Sequence, residues 1–315
     1  MNKVIIAYDL FLDLKLYQIP EKFLKEFQEK NPKYEFIPYD PLLNTSNNDI
    51  SIYWGNRINM SIVDKLPNLK WIHFGSVGIN KIDLDCINKR KIIVTNSAGI
   101  MTNAVANHAI MFLLMLSRNM HHAIYLRSEN ILNRINFDKY FESTSDLENY
   151  NCIILGHGLI AKKIQSICIA LGLNAECISR STDNKLNNIN NLLSNKQFII
   201  NSLPLNPETK NLIDINFFNK MENNSYFINI GRGETVIEND LIYALKNGII
   251  AGAALDVFNI EPLSESSELW GLNNVIITPH IAGVTNNYWK KQCELFITNL
   301  NNFIYHKPMI NQSNI

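Results

Sequence analysis

The sequence predicts an α/β protein with two doubly wound domains, each built around a parallel sheet. Short, continuously apolar segments alternate with amphipathic helical segments from one end of the chain to the other. Strands that are apolar along their whole length are typical of parallel sheets covered by helices on both faces. The length of 315 residues suits two domains of about 100–200 residues each, and a hydrophobic content of 46% supplies apolar surface for two cores.

The first part of the chain supplies one predicted sheet. Amphipathic segments at Glu21–Glu29 and Ser61–Leu66 are predicted to be helices between its strands. Parallel strands need such crossover connections, which are usually helical. The predicted strands are Val4–Tyr8, Tyr34–Pro38, Ile50–Trp54, Trp71–Gly75 and Ile92–Thr95.

The later part of the chain predicts a second sheet of the same kind. A turn cluster at Asn96–Gly99 leads into a long apolar helix at Thr102–Arg118, and the last helix, Tyr288–Tyr305, follows the final strand. If this last helix packs on the first sheet, both chain ends belong to one domain. We therefore assign residues 1–99 and 286–315 to one domain and 100–285 to the other. The predicted strands of the second sheet are Cys152–Leu155, Ala175–Ile178, Phe198–Asn201, Tyr226–Ile230, Ala251–Val257 and Val275–Thr278.

Charge and cysteine usage exclude several classes of protein. The 29 Lys and Arg residues balance the 29 Asp and Glu residues, so no positive field attracts nucleic acid or an anionic membrane surface. The most apolar stretch, Ala104–Leu116, is interrupted by Asn107 and His108 and falls short of the ~18 apolar residues of a membrane span. The five cysteines lack CxxC spacing, which indicates thiols in a reducing compartment. We expect a cytoplasmic protein that binds neither nucleic acid nor a membrane.

No metal site is expected from the histidines. His73, His121 and His122 have no carboxylate or cysteine at convincing ligand spacing. We interpret His73 as lying at the edge of a pocket, and His121 and His122 as an exposed pair on a helix.

A glycine turn joins the predicted strand Cys152–Leu155 to a helical run at Lys162–Leu171. The turn, Gly156-His157-Gly158-Leu159-Ile160-Ala161, has the spacing GxGxxA. In a dinucleotide site the first glycine permits the tight turn, the second lets a pyrophosphate approach the backbone, and the small third residue lets the helix meet the sheet. A purely structural turn is the alternative for the string alone, but the strand, the helix and the further βα unit favour a dinucleotide. His157 is interpreted as facing solvent.

The next predicted strand ends in Ser179, Arg180 and Ser181 rather than in the acidic residue that usually binds the ribose of NAD. A carboxylate would repel a 2′-phosphate, whereas these side chains can donate to one, the guanidinium in bidentate fashion. The alternative is a polar loop in which Glu176 or Asp183 binds the ribose. The pattern favours NADP over NAD.

Three segments near the ends of later strands carry chemically useful side chains. Arg232 stands between two glycines, Asp256 and Glu261 follow another strand, and His280 follows the last strand. Ligands of open α/β sheets bind outside the carboxyl ends of the strands, so these segments can converge. Each has a structural alternative: Arg232 could pair with a surface acid, Glu261 could cap a helix and His280 could satisfy a carbonyl.

The chain resembles the D-isomer-specific 2-hydroxyacid dehydrogenase family along nearly its whole length. The resemblance implies a Rossmann cofactor domain inserted in a flavodoxin-like substrate domain, and a homodimer through the helix Thr102–Arg118 and its neighbour. The matching stretches are Gly75–Asp83, Ala104–His108, Gly156–Ala161, Leu203–Thr209, Asn229–Gly233, Gly252–Pro262 and Leu269–Gly283.

The resemblance identifies Arg232, Glu261 and His280 as the catalytic group. Reduction of a 2-oxo acid needs a hydride on C2, a proton on the oxygen and an anchor for the carboxylate. Imidazole suits the proton transfer, and a neighbouring carboxylate would orient it and favour its charged form. The arginine would hold the substrate's carboxylate and polarise its carbonyl group.

The resemblance also implies the remaining site residues. Backbone amides of the loop Ser76-Val77-Gly78 would bind the substrate carboxylate, together with Arg232 and His280. Asp256 would bind the nicotinamide amide, or would only cap a loop. Asn80 and Asn107 replace acidic residues that are usual in the family. The residues assigned to cofactor binding are Gly156, His157, Gly158, Leu159, Ile160, Ser179, Arg180, Ser181, Leu203, Pro204, Thr209, Ile230, Gly231, Asp256 and Gly283.

The expected function is reduction of a small 2-oxo acid, such as glyoxylate or hydroxypyruvate, with NADPH, the reverse of a D-2-hydroxyacid dehydrogenation. One alternative is a formate- or phosphite-type dehydrogenase on the same fold. Another is a dinucleotide-sensing binding protein without activity. The Glu261–His280 pair argues against formate, whose oxidation requires no proton transfer, and the complete group with Arg232 argues against a binding protein.

Overall fold

The computed structural model describes residues 3–9, 18–39, 48–77, 79, 82–131, 133–179, 189 and 191–313. The chain divides into two compact units: unit 1 contains Met1–Met101 and Val284–Ile315, and unit 2 contains Thr102–Gly283. Each unit is built around a parallel sheet, so the predicted fold class is confirmed. The assignment of substrate and cofactor binding to separate domains stays a prediction.

Helices and strands alternate along the described residues. The strands are β1 (Val4–Tyr8), β2 (Tyr34–Pro38), β3 (Ile50–Gly55), β4 (Trp71–Phe74), β5 (Ile93–Thr95), β6 (Asn151–Leu155), β7 (Asn174–Ile178), β8 (Phe198–Asn201), β9 (Tyr226–Asn229), β10 (Gly252–Leu255) and β11 (Val275–Ile277). The helices are α1 (Glu21–Lys30), α2 (Met60–Asp64), α3 (Leu84–Lys89), α4 (Thr102–Ser117), α5 (Met120–Ser128), α6 (Arg134–Asp138), α7 (Leu159–Ala170), α8 (Ile215–Phe218), α9 (Glu238–Lys246) and α10 (Tyr288–Ile304).

The sheet of unit 1 has the strand order β2-β1-β3-β4-β5. Its inner strands β3 and β4 are almost entirely buried, and α10 covers one face of the sheet. The buried residues of α10 recur every three or four positions, as expected for a helix with one face against a core. Phe296 lies parallel to the Trp54 ring, with ring centroids 4.1 Å apart, and stacks on Trp71 at 5.1 Å. The end of the chain therefore belongs to the core of unit 1.

The sheet of unit 2 has the strand order β11-β10-β9-β8-β6-β7. Every adjacent pair is parallel. The order reverses at β6, because the chain adds β7 on one side of this strand and β8 on the other. In open α/β sheets ligands bind at such a switch point, outside the carboxyl ends of the strands. The glycine turn follows β6 and therefore lies at this point.

Two expectations about the histidines are wrong. His73 is fully buried inside unit 1 rather than at the edge of a pocket, because it lies in the interior strand β4. His121 is buried rather than exposed, and its ring lies 4.0 Å from that of His122. Burial lowers the pKa of each of these two rings to about 4.

None of the helices described is long and apolar enough to cross a membrane.

Candidate active site

The glycine turn after β6 is shaped by its first residue. Gly156 has a φ of 125°, a conformation that side chains rarely adopt, and its N–H donates to the Ile178 carbonyl at 2.8 Å. A Cβ on this residue would lie 2.6 Å from Oγ of Ser202, whose hydroxyl donates to the Leu155 carbonyl. The fold of unit 2 therefore requires glycine at position 156.

The second glycine of the turn has a different reason. Gly158 is the N-cap of α7, with a φ of −75° that any residue can adopt. A Cβ there would meet none of the described atoms within 4 Å, so packing does not require glycine. The helix start has no side-chain cap and no acidic residue in its first turn. An open space beside uncapped N–H groups at a helix start fits the pyrophosphate of a dinucleotide.

The rest of the predicted cofactor turn surrounds these glycines. Leu159 is largely exposed, and Ile160 follows it in the first turn of α7. The small third residue, Ala161, is buried as the motif requires. His157 is half-buried rather than fully solvent-facing, and its Nδ1 has no hydrogen-bond partner among the described atoms.

Part of the predicted 2′-phosphate site falls outside the described residues. Ser179 is half-buried directly after β7, whereas Arg180 and Ser181 lie outside the part of the chain that the structure describes. The alternative ribose ligand Glu176 lies inside β7 and forms an ion pair with Lys196 at 2.7 Å.

A buried network of three polar side chains supports the loops after β8 and β9. The Asn201 amide donates to Oδ1 of Asn229 at 2.9 Å and to Oγ1 of Thr235 at 2.8 Å. Its oxygen accepts from the Leu203 N–H, and the Asn229 oxygen accepts from the Gly231 N–H, both at 3.1 Å. Buried side chains that satisfy loop amides hold a backbone in one conformation. Sequence reasoning missed this network, although the asparagines at the ends of two buried strands were a signal.

The loop at 203–209 has an internal brace. Thr209 is buried, and its hydroxyl donates to the Pro204 carbonyl at 2.6 Å while accepting from the Asn206 N–H at 2.9 Å. This geometry favours a structural role for Thr209, which shapes the loop that contains Leu203 and Pro204. Its direct contact with a cofactor stays a prediction.

The loop after β9 exposes a single guanidinium between two tightly packed glycines. A Cβ on Gly231 would lie 2.8 Å from the Leu203 carbonyl oxygen, and one on Gly233 would lie 2.0 Å from the Phe258 carbonyl. Arg232 itself is exposed, and its Nη1 donates to the Gly231 carbonyl at 2.7 Å. Ile230, which precedes them, is buried. Gly231 thus lets the Arg232 loop pack on the loop after β8, and Gly233 lets it pack on the loop after β10.

The loop after β10 brings Glu261 to His280. The His280 ring places Nδ1 at 2.6 Å from Oε2 of Glu261, and the other carboxylate oxygen accepts from the Phe258 N–H at 3.1 Å. A carboxylate only accepts in such a bond, so Nδ1 donates and Nε2 is left to exchange a proton with a ligand. The imidazole is about half exposed. The predicted pairing of these two side chains is present in the structure.

Asp256 holds the loop that carries His280. Its carboxylate is buried and accepts from the N–H groups of Ile281 and Ala282, both at 2.9 Å, and from the Thr278 hydroxyl at 2.6 Å. His108 of α4 lies 2.9 Å from the same hydroxyl. Burial lowers the pKa of His108, which Asp256 opposes. These contacts match the loop-cap alternative for Asp256, while contact with a nicotinamide amide stays a prediction. The loop continues to Gly283, the last residue of unit 2.

In unit 1, the loop after β4 is the predicted carboxylate-binding loop. Ser76 is half-buried and Val77 is 47% exposed, whereas Gly78 lies outside the described residues. The Ser76 carbonyl accepts from the Ser97 N–H at 3.0 Å, and the Val77 carbonyl accepts from the Asn96 side chain at 2.9 Å. The loop is therefore fixed by its carbonyl groups.

The parallel sheet with a glycine turn at its switch point, and an imidazole–carboxylate pair beside an arginine loop, define a dinucleotide-dependent oxidoreductase. The family model "D-isomer specific 2-hydroxyacid dehydrogenase, NAD binding domain" matches residues 110–282. The chain is 32% identical over 260 residues to the glyoxylate reductase of Thermofilum pendens, covering 78% of this chain and 75% of that relative. It is 29% identical over 244 residues to glyoxylate/hydroxypyruvate reductase B of Salmonella newport, covering 73% of each.

Solved structures share the fold. The NADPH-dependent glyoxylate/hydroxypyruvate reductase of Sinorhizobium meliloti, in complex with NADP and malonate, has a TM-score of 0.78 at 23% identity, over 99% of this chain and 97% of that one. The apo D-mandelate dehydrogenase of Rhodotorula graminis has a TM-score of 0.83 at 22% identity, over 99% and 98%. The chain belongs to the D-isomer-specific 2-hydroxyacid dehydrogenase family. It is an enzyme that uses a nicotinamide dinucleotide to reduce a 2-oxo acid to a 2-hydroxy acid.

Proposed function

We propose that the enzyme reduces a small 2-oxo acid, glyoxylate or hydroxypyruvate, with NADPH as the preferred donor. The observation that carries the proposal is the 2.6 Å contact between His280 and Glu261 in a chain of this family. The relatives' names support the substrate class. The reverse reaction is oxidation of the corresponding D-2-hydroxy acid.

We assign the proton transfer to His280. Its Nδ1 donates to Glu261, which fixes the tautomer and the ring orientation, and Nε2 gives its proton to the substrate carbonyl oxygen as hydride reaches C2. The Glu261 carboxylate would thus keep the ring in the orientation in which Nε2 can reach the substrate. Arg232 would bind the substrate carboxylate and polarise the carbonyl through its fork of N–H donors. In unit 1, the amides at Ser76, Val77 and Gly78 would also bind the carboxylate.

The nicotinamide dinucleotide supplies the hydride when it is bound. We propose that Gly156, Gly158 and the first-turn amides of Leu159 and Ile160 bind its pyrophosphate. The open space beside Gly158 and these N–H groups, here called the cradle, fits that group. Unit 2 would therefore be the cofactor domain and unit 1 the substrate domain, with boundaries near residues 99 and 286. The other proposed cofactor contacts are His157, Leu203, Pro204, Thr209, Ile230, Gly231, Asp256 and Gly283.

The two glycines of the turn give a matched test of the cradle. Gly158→Ala is expected to leave the free energy of unfolding within about 1 kcal/mol of the wild type, because the poorer N-cap offsets the gain in chain entropy, while the Kd for NADPH rises about tenfold or more. Gly156→Ala is expected to lower the free energy of unfolding by about 1–2 kcal/mol, because Ala must adopt a φ of 125°. Urea unfolding and fluorescence titration measure the two quantities. An unchanged Kd in a stable Gly158→Ala variant would refute the cradle.

Preference for NADPH is proposed to depend on Ser179, Arg180 and Ser181. Arg180→Ala is expected to raise the Kd for NADPH about tenfold or more and to change that for NADH little, because only NADPH carries the 2′-phosphate. Fluorescence titration of the same variant with both nucleotides supplies the control. Equal losses for the two nucleotides would contradict the proposed specificity.

A parallel screen tests the function itself. The purified enzyme is assayed with glyoxylate, hydroxypyruvate and larger 2-oxo acids, each with NADPH and with NADH. Oxidation of the nucleotide is measured as the loss of its absorbance. Turnover of the small acids, faster with NADPH, supports the proposal. Turnover of formate or phosphite alone, or nucleotide binding without any turnover, would overturn it.

We also propose a homodimer in the cytoplasm. Met111 and Leu114 of α4 are each 38% exposed, and such apolar side chains on one helix suit contact with a second copy. The five cysteines are all free thiols, which suits a reducing compartment.

A further inference from the structure

Four consecutive carbonyl groups around the Gly75–Val77 loop are satisfied from within unit 1. In a planar trans peptide the N–H points opposite to the C=O. The carbonyls of Gly75 and Ser76 point inward to their hydrogen-bond donors. The N–H groups of Ser76 and Val77, which belong to the same two peptide groups, therefore point the other way. The four bonds come from the Ser97 hydroxyl to Phe74 (2.8 Å), the Gln292 amide to Gly75, the Ser97 N–H to Ser76 (3.0 Å) and the Asn96 amide to Val77 (2.9 Å).

Gln292 stands at the centre of these contacts. Its side chain is fully buried on α10, and its amide nitrogen donates both to the Gly75 carbonyl and to the Tyr288 hydroxyl. Tyr288 in turn donates to the same carbonyl at 3.2 Å. The Gln292 oxygen lies 2.9 Å from the Ser97 hydroxyl, which is the group that holds Phe74. One buried amide therefore connects Gly75 to Ser97, which bonds the carbonyls on either side of Gly75.

The network continues through His73 to the neighbouring strand. The Trp71 indole can only donate, and it does so to the Thr95 hydroxyl at 2.9 Å. Nδ1 of His73 lies 2.7 Å from the Thr95 hydroxyl, and Nε2 lies 3.4 Å from the Ser97 hydroxyl, whose proton the Phe74 carbonyl and the Gln292 oxygen share. Burial lowers the pKa of His73 to about 3, so the ring stays neutral. Fully connected buried networks of this kind impose one conformation.

We propose that Gln292 is a positioning residue for the substrate carboxylate, because it holds the Gly75–Val77 loop with its N–H groups turned outward. The inference rests on the proposed role of this loop in carboxylate binding. Gln292 itself does not touch the substrate and acts through the backbone of the loop.

Gln292→Met tests the proposal, since Met has a similar length and cannot hydrogen-bond the Gly75 carbonyl or Ser97 in the same way. We expect the KM for glyoxylate and the Ki for oxamate, an unreactive analogue, to rise about tenfold, because the carboxylate loses a fixed set of donors. We expect kcat to stay within about twofold and the Kd for NADPH to stay unchanged, because those depend on residues of unit 2.

Asn299→Leu is the matched control. Asn299 is another fully buried amide of α10, and it bonds the backbone of Ile310 at 2.9 and 2.7 Å rather than the loop. We expect it to lower the melting temperature at least as much as Gln292→Met while leaving the KM unchanged. An equal rise of KM in both variants would overturn the proposal, because it would reflect general destabilisation.

The outcomes separate this inference from the proposed function. If the wild type reduces glyoxylate and is inhibited by oxamate but Gln292→Met keeps the wild-type KM, only the inference is overturned. If the wild type neither turns over a 2-oxo acid nor binds oxamate, both are overturned. Should Gln292→Met fail to fold, Tyr288→Phe removes the second donor to Gly75 with the loss of one oxygen. It is expected to raise the KM in the same direction, and an unchanged KM would count against the proposal.

Discussion

His280→Ala is expected to lower kcat for 2-oxo acid reduction by about 10²–10⁴-fold, because the substrate oxygen loses its proton donor. The Kd for NADPH is expected to change little, since the glycine turn lies at another strand end. Steady-state kinetics with glyoxylate and fluorescence titration with NADPH measure the two effects. Glu261→Gln keeps an acceptor for Nδ1 and loses only the negative charge, so its kcat should fall between those of the wild type and His280→Ala.

His306→Ala is the control for this substitution. His306 is exposed and lies in unit 1, and it has the same φ of 53° as His280. Both substitutions therefore place Ala in the left-handed region, and any shared effect on stability comes from the backbone. The His306 variant should keep the wild-type kcat. Wild-type turnover by His280→Ala would remove the imidazole from the mechanism.

Arg232→Lys is expected to lower kcat/KM by about 10²–10³-fold, although the positive charge is retained. The physical reason is geometric: a guanidinium presents a planar fork to a carboxylate and a carbonyl oxygen at once, whereas an ammonium is a point charge. The backbone of this loop has little freedom to move and reposition a lysine, because the glycines on both sides pack tightly. Steady-state kinetics over a range of glyoxylate concentrations separate kcat from KM.

Arg127→Lys supplies the comparison for Arg232. Arg127 is an exposed residue of α5 with no proposed part in binding, so its exchange should leave both kinetic constants unchanged. The melting temperatures of both variants should match that of the wild type. A kcat/KM for Arg232→Lys within a few-fold of the wild type would show that charge alone suffices, and would contradict the assigned carboxylate fork.

Local pattern predicts the strands and the glycine turn well. Continuous apolar runs place each described strand to within a residue or two, because burial on both sheet faces leaves a clear signal. The family resemblance predicts the His280–Glu261 pair, and the position of both residues after adjacent strands of one sheet makes the contact possible. Direct roles for Arg232 and for the loop at Ser76 and Val77 remain predictions.

Contacts between distant parts of the chain could not be predicted in this way. The Ser97–Gln292 hydrogen bond joins residues 195 positions apart, and nothing in either local sequence specifies the other. The burial of His73 was missed for a similar reason, because its hydroxyl partner lies on the neighbouring strand β5. A polar residue inside an apolar strand suggests a surface position, whereas tertiary structure supplies the partner that makes the burial of His73 possible.

The contrast between the two glycines of the turn also bears on how the sequence can evolve. Stability alone would preserve Gly156 in any descendant that keeps this sheet, because its backbone conformation excludes a side chain. The backbone at position 158 does not exclude a side chain, so selection that keeps glycine there comes from nucleotide binding. In a lineage that had lost its coenzyme while keeping the fold, the second glycine would drift first, and its replacement would mark the loss.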